Sequence, residues 1–309
     1  MKKISIVIPA FNEEQNIPLI HQKISEVFSA LPTYNFEIIF VNDGSRDQTQ
    51  NVLENLSSQF PEVKYLEFSR NFGHQPAVKA GIDYSNSNAV ISMDADLQHP
   101  AELIPEMISA WEEGFDIVYT IRKYPKEISR FKRKTSDYFY KFLSKISDVD
   151  MTTGGGSDFR LMDASVVDVM RNMQESDLFL RGLSTWMGFK QKGIKFTANE
   201  RFHGESSYNL NKMMKFAFTG ITAFSVKPLY LAAYLGFFFS LLSVVIYIPY
   251  VLHAFFAGTE ISGWASLIMT VVFFGGLQLV ILGIFGIYLG KIFKQVKERP
   301  NYIIRSKNF

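Results

Sequence analysis

Asp94 and Asp96 stand at alternate positions in the run VISMDADLQHP, where a short apolar stretch gives way to polar residues. Two carboxylates that close together repel unless something positive lies between them. The chain has no cysteine and no histidine cluster beside the pair, so the pair suits a hard divalent cation, Mg2+ or Mn2+, completed by water and phosphate oxygens. Gln98 could add a neutral oxygen ligand. Such an ion would offset the charge that builds on a departing diphosphate. A second reading stands beside this one: an Asp ahead of LQHPAEL can cap the following helix.

Other polar motifs carry the same ambiguity. Asp43 in VNDGSRD could hydrogen-bond a base or ribose while Gly44 permits close backbone approach, or it could serve a turn and a helix cap. Glu13 in PAFNEEQN is either a nucleotide contact or a charge stabilising the amino end of the next helix. In RNFGHQPAVKAG, Arg70 is a candidate diphosphate contact or half of an exposed ion pair, and Gly73 marks a tight turn. TTGGGSDFRLMD sets Gly154 to Gly156 before Asp158 and Arg160, a mobile loop against a fixed element, with a structural Asp158–Arg160 ion pair as the alternative. ERFHGESSYNL holds Arg201, His203, Glu205 and Ser206; His203 has no second His or Cys at zinc spacing. Neither a Gly-x-Gly-x-x-Gly nor a Walker A sequence is present, which disfavours dinucleotide cofactors and P-loop chemistry.

The elements that must position these residues are legible as alternation. Strand-like runs recur at ISIVI, FEIIFV, VKYLEF, NAVISM and DIVYTI. Helical periodicity lies between them at Gln15 to Leu31, Asp47 to Ser58, Gln75 to Tyr84 and Ala101 to Trp111. That order predicts a doubly wound α/β domain with a mostly parallel sheet. PAFNEE, NDGSRD, SRNFGH and DADLQH each follow a strand, so four loops converge at the carboxyl edge, where such sheets bind ligands.

A mean hydropathy of +0.05 is high for a chain with 20% charged residues, so apolar residues must be concentrated somewhere. Pro228 to Thr259 and Ile261 to Gly290 contain no Asp, Glu, Lys or Arg. Each exceeds the roughly 20 residues that cross a bilayer core, which predicts two membrane spans, the longer first one relieved by a kink or interfacial turn at Pro249. Lys212, Lys215 and Lys227 precede the pair and Lys291, Lys294, Lys297 and Arg299 follow it, while the connector AGTEISGW has no Lys or Arg. The positive-inside rule then places both termini in the cytoplasm, with Trp264 and Tyr288 as interfacial anchors. A transporter would need polar residues within the spans, where Gln278 is thin support. The apolar stretch near Lys2 and Lys3 is broken by Pro9, Asn12 and Glu13 and reads as a first strand, not a signal peptide. A net charge of +2 and the lack of an aromatic-basic motif argue against nucleic acid. Tyr119 to Lys141 is rich in basic residues, among them Arg122, Lys132 and Arg133. It reads as a surface lying on anionic lipid and as a cradle for an anionic substrate, two compatible roles.

IVIPAFNEEQNI, VNDGSRD, RNFGHQPAVKAG, DADLQHP, GSDFRLMD and RFHGESSYNL, in this order, resemble the family 2 glycosyltransferases that load a sugar onto a polyprenyl phosphate. The resemblance extends over essentially the whole chain, and the two C-terminal spans match the bacterial undecaprenyl-phosphate glucosyltransferase type. It implies an α/β GT-A catalytic domain over 1–208, a juxtamembrane amphipathic helix over 209–227, two transmembrane helices over 228–290 and a cytoplasmic tail over 291–309. It implies inverting transfer from a nucleotide-diphosphate sugar, glucose favoured, with Asp94, Asp96 and Gln98 at the metal and Pro9, Ala10, Glu13 and Asp43 at the nucleotide. Arg122, Lys132 and Ser136 correspond to residues handling the lipid phosphate, Arg201 to an arginine on diphosphate or acceptor phosphate, and Asp158 to a base. A homotetramer in the inner membrane is the implied assembly. One departure stands out: Ser207 follows Gly-Glu-Ser where the family commonly has Lys. The acceptor phosphate is already largely ionised, its second pKa being about 6, so a strong base is unnecessary. The demand falls instead on holding two anions together.

Overall fold

The computed structural model describes residues 1–123, 158–176, 178–197, 225–257 and 263–309. In chain order the elements are β1 (Lys2–Ala10), α1 (Asn16–Ser29), β2 (Tyr34–Asn42), α2 (Thr49–Gln59), β3 (Val63–Phe68), α3 (His74–Tyr84) and β4 (Ala89–Ser92). A 3-10 turn (Ala101–Leu103) leads into α4 (Ile104–Glu112), followed by β5 (Ile117–Lys123), β6 (Arg160–Asp163), α5 (Ala164–Arg171), α6 (Leu180–Trp186) and β7 (Gln191–Thr197). Two long helices, α7 (Lys227–Ala257) and α8 (Trp264–Val296), precede a last strand, β8 (Ile304–Lys307).

The described strands form one sheet in the order β7-β5-β6-β4-β1-β2-β3-β8. β1 pairs parallel with β2 and β4, and β2 with β3, as the alternation of strand and helix requires. β6 departs from that pattern: it enters between β4 and β5, antiparallel to both. Its first residue, Arg160, therefore lies opposite Ser92, the last residue of β4. Asp158 thus reaches the carboxyl edge from the start of a strand, whereas the other motifs reach it from strand ends.

Both faces of the sheet are covered. Ile4, Ile6 and Ile8 of β1 pack with Ile17, Ile20 and Ile24 of α1 on one side, while Val7 packs with Ala77 and Ala80 of α3 on the other. This period-2 division of β1 between two cores marks a strand buried on both faces. Gly81 lets α3 approach closely, since a Cβ there would stand 2.2 Å from Val7 Cγ1. The 3-10 turn, Ile104 and Met107 belong to the α1 face, and Val166, Val167 and Leu183 to the α3 face.

The apolar C-terminal segments are the helices α7 and α8. Among the described residues, Thr270–Val296 is long and apolar enough to cross a membrane, by length and composition. α7 is helical on both sides of Pro249, so no turn interrupts it there. The helices run antiparallel: Phe239 meets Phe273 with ring centroids 5.5 Å apart, and Tyr288 Oη donates to the Ser225 carbonyl at 2.6 Å. Tyr288 therefore ties the base of the hairpin. Beyond α8 the chain turns back and β8 pairs antiparallel with β3. Tyr302 stacks on Phe68 at 5.3 Å and donates to Asp83 at 2.8 Å, and the Asn308 side chain bonds the backbone of Tyr65 and Val63. The tail thereby covers what would be an exposed β3 edge.

At the middle of β2, Glu37 is 4% exposed and takes Lys3 at 2.7 Å, Lys64 at 2.5 Å and the Ser5 hydroxyl at 2.6 Å. Burial works against its charge, but the two lysines and Ser5 outweigh it and hold the carboxyl below its ordinary range. Its ion pairs therefore contribute stability that is complete above the unfolded carboxylate pKa of about 4.3 and is lost as pH falls through the lower folded value. Glu37→Gln is expected to destabilise the protein at pH 7 by about 1–3 kcal/mol and to flatten this acid limb, as read by chemical denaturation between pH 3 and 7.

Candidate active site

A cleft of about 810 Å³ opens at the carboxyl edge of the sheet. Pro9 and Ala10 from the end of β1, Asp43 from the end of β2, and Asp94 and Asp96 beyond β4 all line it. Strand register explains the convergence: β1 and β2 end together at Ala10 and Asn42, and β4 ends at Ser92 opposite Val7, leaving Asp94 and Asp96 to follow beside the last residues of β1. Glu13 lines the cleft as well and also serves the entry to α1: its carboxylate accepts from Asn16 Nδ2 at 2.6 Å, and its carbonyl from Asn16 N.

Asp43 has a structural task that the spacing did not disclose. Its carboxylate accepts the backbone N–H of Phe72 at 2.6 Å and of Gly73 at 2.9 Å, which binds the loop after β3 to the end of β2. Gly44, at φ 67°, presses on the same loop, and a Cβ there would sit 2.5 Å from the Arg70 carbonyl carbon. Burial raises the Asp43 carboxyl above its ordinary range, against the pull of those two N–H groups and of His74 and Arg70. Arg70 itself lies over the Phe72 ring at 4.0 Å, donates to the Asn71 carbonyl and is not among the residues lining the cleft.

The DADLQHP turn is built tightly. Leu97 adopts a left-handed φ of 60° with its side chain buried, an unfavourable conformation for a branched residue that recurs at functional sites. Asp96 Oδ1 accepts the Gln98 N–H at 3.2 Å, and His99 Nδ1 accepts the Asp94 N–H at 3.0 Å while its ring stacks on Phe159. Asp94 Oδ1 is buried and makes no hydrogen bond. A buried carboxylate oxygen with no hydrogen bond, and an imidazole nitrogen 3.5 Å away, can serve as a cation ligand. Among the described residues no group of three His, Asp or Glu side chains could hold a metal alone. The aspartate pair therefore fits a cation whose coordination a ligand's oxygens complete.

Two residues of the cleft were not legible from spacing. His74, the first residue of α3, places Nε2 3.5 Å from Asp94 Oδ1 and 3.3 Å from Asp158 Oδ2, with its side chain 42% exposed. Burial alone would lower its pKa, but Asp158 and Asp94 outweigh burial and raise it. Arg181, in the first turn of α6, grips Asp158 with Nε on Oδ1 and Nη2 on Oδ2, both at 2.7 Å. Burial would raise the Asp158 carboxyl, yet Arg181 and His74 hold it well below its ordinary range. The alternative of an Asp158–Arg160 ion pair is not what the structure shows: Asp158 pairs with Arg181, and the buried Arg160 guanidinium donates to the Ser184 hydroxyl. Burial lowers Arg160 to about 10. His74 sits within the RNFGHQPAVKAG motif but was not singled out there, and Arg181 lies in no charged or glycine-rich motif, so only its FLRG context could have flagged it.

Arg122 stands near the carboxyl end of β5, paired with Phe196 of β7. Lys132, Arg133, Ser136 and Arg201, the Gly154 to Gly156 run and the 209–224 segment lie outside the described residues.

The mostly parallel sheet, with helices on both faces and a cleft at its carboxyl edge, is a GT-A-like α/β arrangement. The chain belongs to glycosyl transferase family 2, whose sequence profile matches residues 5–170, and it is a glycosyltransferase. It is 44% identical to an uncharacterized glycosyltransferase, YkcC, of Bacillus subtilis, over 97% of this chain and 93% of that one. It is 38% identical to the bactoprenol glucosyl transferase of Shigella phage SfX, over 99% of both chains. Among solved structures, glucosyl-3-phosphoglycerate synthase from Mycobacterium tuberculosis aligns with a TM-score of 0.46 and 17% identity, covering 72% of this chain and 78% of that one. That likeness is too distant to bear on ligands.

Asp43→Ala leaves the Phe72 and Gly73 N–H groups without their acceptor. It is expected to lower stability by about 2 kcal/mol, with Asp43→Asn recovering part of the loss, in denaturant unfolding of the purified protein.

Proposed function

We propose that this glycosyltransferase moves a hexose, glucose in the favoured reading, from a nucleoside-diphosphate sugar to the phosphate of a polyprenyl phosphate at the cytoplasmic face of the inner membrane, with inversion. Full-length likeness to bactoprenol glucosyl transferases, at 38–39% identity over 98–99% of this chain, supports the acceptor class. The observation that carries the reading is the sheet itself. Strand β8 follows the apolar hairpin, yet pairs with β3 of the domain that precedes it. A chain that leaves a sheet, enters a bilayer and returns to the same sheet must cross an even number of times. This geometry supports α7 and α8 as two spans, both termini on the cytoplasmic side, and a cleft held near the interface where a lipid presents its phosphate.

In this reading Asp94 and Asp96, with Gln98 close by, would hold Mg2+ or Mn2+. When bound, the cation supplies neutralising charge to the diphosphate. The chain's own residues do the rest. Pro9, Ala10 and Glu13 wall the nucleotide end of the cleft, and Asp43 fixes the loop that carries His74. Arg122, Lys132, Arg133 and Ser136 supply the phosphate-binding groups for the acceptor, Arg201 adds a further cation, and the assembly is a homo-oligomer. No proton need leave a phosphate dianion as it attacks the anomeric carbon.

Incubating the purified protein with undecaprenyl phosphate and radiolabelled UDP-glucose, UDP-GlcNAc or GDP-mannose is expected to move label into the organic phase from UDP-glucose. EDTA should abolish this and added Mn2+ or Mg2+ restore it, and Asp96→Ala should cut turnover by at least about 10²-fold. No label from any donor would sink the acceptor assignment. Because the chain lacks cysteine, single cysteines report topology directly. Gly263→Cys should react with an impermeant maleimide from outside intact cells, and Ser306→Cys only after permeabilisation.

A further inference from the structure

We propose that Arg181 is the cleft residue that receives a phosphate anion of the substrates, and that Asp158 serves as its positioning carboxylate instead of acting as a general base. The inference rests on the transfer reaction proposed above and assigns roles within that site.

The first ground is geometric. Both Asp158 oxygens are committed: Oδ1 to Arg181 Nε, and Oδ2 to Arg181 Nη2 with His74 Nε2 3.3 Å away. A base must turn a lone pair toward the proton it removes, with a pKa near the working pH. Asp158 is 12% exposed, and its cationic neighbours hold it ionised far below that range. The paired edges instead fix the guanidinium plane, as a fork-to-fork pair does.

The second ground is charge. Glu13, Asp43, Asp94, Asp96 and Asp158 all line the cleft, and among the described residues Arg181 is the one Lys or Arg side chain that does. Its side chain stays 29% exposed there. An anion entering this acidic cleft requires a fixed cation. The rigid mount of α6 provides one: the Leu180 N–H bonds Gln75 Oε1 at 3.0 Å, and Leu180 and Leu183 are buried under the sheet.

The third ground is chemical balance. A phosphate-monoester dianion forms its new P–O–C bond through an oxygen lone pair. The anomeric C–O bond to the diphosphate breaks, and the nucleoside diphosphate leaves with the electron pair. The product is a phosphodiester monoanion, and no proton has moved. Such a step leaves a base with nothing to do and gives a fixed arginine a substantial task.

The test is rescue by a free cation. Arg181→Ala is expected to lose roughly 10²-fold in kcat/KM, and guanidinium or methylguanidinium to restore about tenfold or more. In Arg181→Ala with Asp158→Asn, rescue should vanish, because the carboxylate that seats the ion is gone. Arg181→Lys keeps the charge without the fork. It should fold with an unchanged melting temperature and still fall at least about tenfold, which guards against loss through misfolding. Titrating UDP and undecaprenyl phosphate separately against each variant distinguishes the sources of the anion: weakened UDP binding assigns the donor diphosphate, weakened lipid binding the acceptor. Rescue that persists without Asp158, unaltered binding of both anions, or an Asp158→Asn loss far beyond that of Arg181→Ala would overturn the assignment. Should wild-type protein transfer no sugar to the lipid while the UDP titration still depends on Arg181, the acceptor reading alone fails.

Discussion

Like-charge repulsion at the carboxyl edge of the sheet is the constraint around which this molecule is organised. The carboxyl ends of the parallel strands β1, β2 and β4 lie on one edge and bring Glu13, Asp43, Asp94 and Asp96 to one cleft, while Asp158 arrives from the start of β6. Carboxylates this concentrated stay ionised only where each has its own compensation. Asp43 is met by two backbone N–H groups, Asp158 by Arg181 and His74, and Asp96 Oδ1 by the Gln98 N–H. Asp94 Oδ1 is buried without a hydrogen bond and has His74 Nε2 3.5 Å away. In the proposed reading the remaining negative potential seats a cation, and a fixed arginine meets the phosphate that enters.

The same economy governs how the catalytic domain meets the apolar hairpin. In chain order α7 and α8 come between β7 and β8, and β8 closes the β3 edge that a doubly wound sheet would otherwise expose. Gln295 of α8 bonds the Gln174 carbonyl and the Ser176 N–H, and Asn301 bonds the Glu175 carbonyl. The end of the hairpin is thereby fixed to the domain by side chains as well as by the strand. Tyr302 carries the connection on to Asp83 at the far end of α3, the helix whose first residue is His74. One rigid helix thus spans the distance between the tail clasp and the cleft.

What the sequence by itself determined is the local and the periodic. Alternating strands and helices, charge-free runs near the C-terminus and turn motifs after strands are properties of neighbouring residues, so they survive without knowledge of the fold. They marked β1 to β5 and α1 to α4 closely and put Asp43, Asp94 and Asp96 at one edge, because parallel strands with crossover helices all end on the same side. Family membership was equally legible, carried by six ordered motifs. What only the tertiary structure decided is pairing across long separations. Asp158 and Arg181 are 23 residues apart, His74 and Asp158 farther still, and β8 meets β3 over more than 200 residues. Short strands such as β6 and β8 carry too few residues for a period to declare itself, and a carboxylate's neighbours, which decide between base and anchor, are set by packing and not by spacing. The resemblance implies a base at Asp158, while its partners in space, Arg181 and His74, could not be read from spacing, because electrostatics depends on distance through the fold and not along the chain.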